Sequence, residues 1–167
     1  MRYDDLRSYT LKRTELHNTL TPVTVAGVYL NQASVLEAAI PEGEGDGQRL
    51  RARIDLTHVW RGVMSRYTRE LAAETVEEFS VTDRGELLTP SALVFNLHTR
   101  NPWKIAGREA VLQVDGWELT LRAPWAEEIS QVEDSIDFRL QPVWHLTCRA
   151  NATKSFDFST SFRCRAL

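Results

Sequence analysis

Four tyrosines, four histidines and five tryptophans are the side chains best equipped for proton transfer, ligation or sugar contact. Tyr3, Tyr9, Tyr29 and Tyr67 are candidate proton donors, yet no base and charge-stabilising partner stands at a spacing that completes a set with any of them. His145 and Cys148 look like a ligand pair, but three residues apart on a strand they face opposite sides. The carboxylates of Asp4-Asp5, Glu42-Glu44-Asp46 and Glu77-Glu78 lack the oxygen spacing of a calcium loop and read as solvated surface. Neither a glycine-rich phosphate loop nor a serine nucleophile elbow is present. Trp60, Trp103 and Trp125 fall near loops or strand ends, where a ring can stack on a sugar; Trp117 and Trp144 fall in inward-facing sets and read as core. His98 and His145, with Arg51, Arg53 and Arg139, take the polar faces of their strands. Were those strands neighbours, the face would be basic and could touch an acidic sugar chain. The plainer expectation is a solvated sheet face.

The elements that must position these side chains are strands. Residues 154–164 alternate Phe156, Phe158, Phe162 and Cys164 with Ser155, Asp157, Ser159, Ser161 and Arg163, the period-two pattern of a half-buried strand. Segment 138–148 repeats it with Phe138, Leu140, Trp144, Leu146 and Cys148 inward. So do 50–56, with Leu50, Ala52, Ile54 and Leu56, and the stretch carrying Leu93, Phe95 and Leu97. At 109–122, Asp115-Gly116 separates two alternating runs, which predicts a hairpin closed by a type I′ turn. Further strands are expected around 8–14, 17–25, 27–31, 34–40, 63–72 and 76–82. The chemistry at Pro41 to Gly47, Asp83-Arg84-Gly85, Thr99 to Pro102 and Asn151-Ala152-Thr153 predicts turns or loops between them. About ten short strands without βα alternation imply an all-β fold, an antiparallel sandwich of two packed sheets.

Composition sets the outer bounds. At 167 residues, 43% hydrophobic and 26% charged, the chain is long enough for one cored domain, spanning 1–167. A formal net charge of −3 gives no reason to expect nucleic acid or an anionic membrane as partner. No apolar run reaches the roughly 20 residues of a membrane-spanning helix, and the charged start Met-Arg-Tyr-Asp-Asp is unlike a secretory signal. Cys148 and Cys164 read as buried thiols. Asn151-Ala152-Thr153 matches a glycosylation acceptor, a motif common by chance.

The segment Tyr9 to Leu20, "YTLKRTELHNTL", resembles the strand carrying His-Asn-Thr in heparinase II/III-like polysaccharide lyases. The order of later strings is similar as well: Gly27 and Gln32, Asp55-Leu56-Thr57, the aromatic and basic stretch Trp60 to Arg69, "FSVTD" at 79–83, Leu97-His98-Thr99, "VDGWEL", and "FSTSF" at 158–162. In that family these strings belong to a C-terminal β-sandwich. The resemblance implies a parent enzyme in which a helical N-terminal toroid and the sandwich enclose an acidic polysaccharide for β-elimination. It implies that the catalytic groups lie in the toroid and in earlier strands, so that this chain is a non-catalytic C-terminal part. It makes His17 a candidate ligand of a structural metal, zinc in the full-length parent, with partners preceding this chain. Trp60, Trp103, Trp125 and His98 are the candidate substrate contacts. An excised sandwich is expected to expose an apolar patch where the toroid packs and to bury it by dimerising. The alternative is an autonomous carbohydrate-binding module. It would bring the three tryptophans onto one concave surface.

Overall fold

The computed structural model describes residues 14–33, 39–134 and 143–167. Ten antiparallel strands run in chain order: β1 (Leu20–Val23), β2 (Glu42–Gly45), β3 (Leu50–Asp55), β4 (Met64–Ala73), β5 (Glu78–Thr99), β6 (Lys104–Ala106), β7 (Glu109–Val114), β8 (Trp117–Arg122), β9 (Glu128–Asp134) and β10 (Val143–Ala166). Short 3-10 turns cover Thr14–Leu16 and Thr57–Trp60. The all-β, antiparallel expectation holds.

Two strands organise the rest. β5 and β10 pair along nearly their whole length, from Trp144↔Thr99 to Arg163↔Glu78. With 22 and 24 residues, each would extend on the order of 70 Å if straight. They bend instead, where the register shifts between Ala150, Thr153 and Ser155; Pro90, which has no N–H to give, lies in the facing stretch of β5 between Glu86 and Ser91. On one side of the bend lies a larger array, β2-β3-β4-β5-β10-β8-β7-β6; on the other lies a smaller one, β1-β5-β10-β9. The two fold face to face over one core that includes Leu20, Phe95, Leu121, Leu146 and Phe156. Contacts across the layers include Arg69 over the Phe95 ring at 5.8 Å and a two-way clamp between the Trp103 backbone and the Gln131 amide (2.9 and 2.6 Å).

The predicted hairpin is present, β7 to β8, with Asp115 at φ 50° and Gly116 at φ 81° as a type I′ turn requires. Several expectations are corrected. Asp83-Arg84-Gly85 is no turn but the middle of β5; Gly85 is there because a Cβ would lie 2.5 Å from Phe156 Cζ and 2.6 Å from Arg66 O. Asn151-Ala152-Thr153 lies inside β10, at the register shift that bends it. Glu42–Gly45, taken as loop, pairs with β3 as an exposed edge strand. The strand expected at 27–31 is reduced to one bridge, Val23↔Tyr29, and that at 17–25 to Leu20–Val23. Residues 8–13 of the strand expected around 8–14, residues 34–38 of that expected at 34–40, and Phe138, Arg139 and Leu140 lie outside the described residues, and Thr14 opens a 3-10 turn.

Candidate functional site

The outer surface of the smaller array carries the densest set of polar side chains. Asn96, on β5, is 0% exposed. Its Nδ2 donates to Thr19 O (3.1 Å), Thr21 Oγ1 (3.1 Å) and Val94 O (3.2 Å). Two of those acceptors are carbonyls that cannot donate, which fixes the amide with Oδ1 toward His145 Nε2 at 3.0 Å. An amide oxygen only accepts, so Nε2 carries the proton. The His145 ring in turn stacks on His98, its register partner, with centroids 4.3 Å apart and 16° between planes. The histidines of the two strands are therefore neighbours, as a shared face would require. That face is not a solvated one, however, because His145 is 8% exposed and Asn96 and Thr21 are fully buried.

His17 sits above this layer in the bend after the first 3-10 turn, with an exposed side chain and its N–H donating to Thr14 O (3.1 Å). The next two residues hold that bend in place. Asn18 Oδ1 accepts from the His98 N–H (2.9 Å), and Asn18 O accepts from Arg69 Nη1 (3.3 Å). Thr19 O accepts from the Asn96 N–H (2.9 Å). The His-Asn-Thr string thus has a physical reading of its own: Asn and Thr clamp the turn to β5 and β4, and His projects outward. Among the described residues no three His, Cys, Asp or Glu side chains gather closely enough to hold a metal ion.

Arg69 belongs to a second network, facing the core. Its Nε and Nη2 grip Asp83 Oδ1 (2.7 Å) and Oδ2 (3.0 Å), and Tyr67 Oη donates to Asp83 Oδ1 at 2.7 Å. Burial, reinforced by the Asp83 charge, pushes the Tyr67 hydroxyl well above its ordinary pKa. A ring that is 0% exposed cannot reach a substrate, so Tyr67 is a structural donor. Tyr29 is half-buried; burial and then Glu15 raise its pKa, with Arg149 opposing. Tyr3 and Tyr9 lie outside the described residues. The sequence hid the Tyr67–Arg69–Asp83 network because Asp83 was assigned to a turn. The signal that could have shown it is parity: Arg69 and Asp83 occupy inward positions, where a charge survives only if paired.

The tryptophans correct the sugar-stacking expectation. Trp60 is 0% exposed and Trp103 is 2% exposed, both sealed in the core, and Trp103 Nε1 donates to Thr99 Oγ1 at 3.0 Å. Trp125 is half-buried, one face covered by Phe158 (4.4 Å, 8°), with Nε1 donating to Thr160 Oγ1 (3.1 Å). The three share no open platform. Trp117, expected inside, is 54% exposed.

The outer surface of the larger array forms a shallow groove of about 550 Å³. Its floor includes Ser80, Ser161 and Thr120, and its sides carry cross-strand pairs: Arg163–Glu78 (3.2 Å), Arg122–Glu109 (3.0 Å) and Arg165–Glu118 (2.7 Å). Each arginine is matched by a carboxylate, so the groove holds no surplus of positive charge for a polyanion.

This arrangement of layers is shared with solved polysaccharide lyases. The chain superposes over 100% of its length on a heparinase III structure, with TM-score 0.72 and 10% identity. Similar matches are the heparan sulfate lyase HepC from Pedobacter heparinus (TM-score 0.69, 15% identity, 98% of this chain) and a further heparinase III (0.68, 12%, 99%). In every case the chain spans about a quarter, 26%, of the length of the lyase it matches. At these identities the likeness is one of fold. No family profile and no curated protein matches the sequence.

Proposed function

We propose that this chain is the C-terminal sandwich domain of a heparinase II/III-like polysaccharide lyase, without catalytic groups of its own. It braces the helical toroid and forms one wall of the cleft for an acidic polysaccharide. The observation that carries the reading is the whole-chain match to a quarter of the heparinases. The placement of the chain's own side chains favours a supporting role. Tyr67 is locked in the core, the three candidate tryptophans are buried or covered, and the buried polar groups of the smaller array are spent on one another. His17, held outward by its clamped turn, is the residue best placed to meet a metal or a neighbouring domain. An autonomous carbohydrate-binding module would need the open aromatic surface that Trp60, Trp103 and Trp125 do not make.

The test is an eliminase assay on the polypeptide as isolated from its source, with heparan sulfate and other uronate polymers. Release of unsaturated uronate products is expected. A polypeptide that leaves every uronate polymer intact would sink the reading.

A further inference from the structure

Arg69 and Asp83 are register partners on β4 and β5, both at inward positions, with side chains 19% and 3% exposed. A buried ion pair gives up the hydration of both charges, and well-packed apolar residues of similar volume commonly hold a core as well or better. The next inward pair on the same two strands, Leu71↔Val81, is such an apolar solution. Stability alone is therefore a weak reason for the charges, and the direction of the guanidinium supplies a stronger one. Asp83 takes Nε and Nη2 of Arg69 (2.7 and 3.0 Å), and Tyr67 Oη donates to the same carboxylate (2.7 Å). The group is planar, so fixing two of its nitrogens on one carboxylate fixes where the third points. That third nitrogen, Nη1, donates to Asn18 O at 3.3 Å, 51 residues away in the chain. Asn18 directly follows His17. Neutral bonds hold the turn on either side: Thr14 N–H donates to Asn31 Oδ1 (3.1 Å) and Gln32 N–H to Thr14 Oγ1 (3.0 Å), while Asn18 Oδ1 and Thr19 O accept from β5.

We infer that Arg69 is a positioning residue for His17. The buried ion pair aims Nη1 at the carbonyl of the residue after His17, and so sets how the turn presents the imidazole at the surface. The inference rests on the lyase reading for what that ring meets, a metal or a neighbouring domain. It deepens the reading by naming the group that holds the ring in place and by giving the Tyr67–Arg69–Asp83 network a task outside the core.

NMR of the chain tests this in two ways. In the unsubstituted protein, Arg69 is expected to show separate Nη1 and Nη2 resonances, slowed in rotation, with Overhauser contacts from the Nη1 protons to Asn18. Averaged resonances without such contacts overturn the inference, and no variant is needed to see it. The second test replaces the network by apolar side chains in the triple variant Tyr67→Phe, Arg69→Met, Asp83→Leu. The expected result is a folded protein in which the backbone order parameters of His17 and Asn18 fall from about 0.85 to below about 0.6. The His145 Nε2–H resonance, bonded to Asn96, should stay where it is. A network that only holds the core predicts the reverse, a changed urea midpoint with His17 as ordered as before. Unchanged order at His17 in the folded variant overturns the inference, and so does a variant that fails to fold. The eliminase assay on the source polypeptide decides the lyase reading separately: its failure, with His17 loosened in the variant, sinks that reading and leaves the positioning role.

Discussion

The two arrays share β5 and β10 yet treat their outward surfaces in opposite ways. In the larger array the outward residues include arginines and carboxylates in cross-strand pairs such as Arg163–Glu78 and Arg84–Asp157, most of them half or more exposed. In the smaller array the outward residues are Thr21, Asn96 and His145, sealed from water and bonded to one another. The same strands therefore pass from a surface where polarity serves solvation to one where polarity serves specificity. An exposed pair contributes roughly 0–1 kcal/mol, whereas a buried polar group deprived of its partner costs about 1–3 kcal/mol. Side-chain identity alone does not distinguish them. What does is the segment from Thr14 to Val23, which pairs with β5 in the smaller array and brings Thr19 O and Thr21 Oγ1 to the Asn96 amide.

The largest expected effect lies where the arrays are pinned together. Asp83→Ala takes from the Arg69 Nε and Nη2 donors and from the Tyr67 hydroxyl the carboxylate they share. A loss of about 3–5 kcal/mol is expected in urea unfolding at neutral pH, and a loss under 1 kcal/mol would remove the pin from the account. Asn96→Leu comes next. It removes the acceptor of His145 Nε2 and the side-chain donor to Thr21 Oγ1 and Val94 O, while Thr19 O keeps the Asn96 backbone N–H, and should cost on the order of 2 kcal/mol. A neutral result would mean that the smaller array is held by its apolar face alone.

Cys148 gives the comparison a pH dependence. Burial pushes its thiol up from 9.0 to about 12. The fold therefore keeps the proton after the unfolded chain has lost it, and the stabilising term is complete below pH 9 and falls as pH rises toward 12. One proton corresponds to a slope of about 1.4 kcal/mol per pH unit. Above pH 10 the buried Tyr67 hydroxyl adds a slope of its own with the same sign. Unfolding curves between pH 9 and 10, compared with those of Cys148→Ala, isolate the thiol; an unchanged slope in the variant would contradict its burial. The smallest effect belongs to the solvated face: Arg163→Ala is expected to shift stability by less than about 0.5 kcal/mol, and less again in high salt.

The difference between the arrays also explains what the sequence disclosed. In the larger array one face meets core and the other water, so period-two alternation reported the facing of its side chains, though Trp117 at the strand end and Leu50 at the margin face inward and are still exposed, and Asp115-Gly116 had only one local solution. In the smaller array the outward face is partly buried: Thr21, Asn96 and His145 are sealed while Val132, the register partner of His145, is 59% exposed, so the same alternation assigned His145 wholly to solvent. Gly85 and Asn151 to Thr153 carried turn chemistry for other reasons. Gly85 makes room for the Phe156 ring, and the Asn151 stretch marks where one strand bends from one layer into the other. Trp60 and Trp103 were misplaced because closeness to a loop in sequence says nothing of what folds over it. The clamps of Asn18 and Asn96 depend on contacts more than 70 residues distant along the chain, and no local pattern encodes them.

The most direct test of a supporting, non-catalytic domain uses the purified chain itself. Folded protein is incubated with heparan sulfate, and the absorbance of unsaturated uronate is followed against the source polypeptide as positive control. The account predicts product from the source polypeptide and none above the enzyme-free blank from the chain. Sustained product formation by the chain alone, abolished by Tyr29→Phe, would contradict it and place the chemistry within these residues.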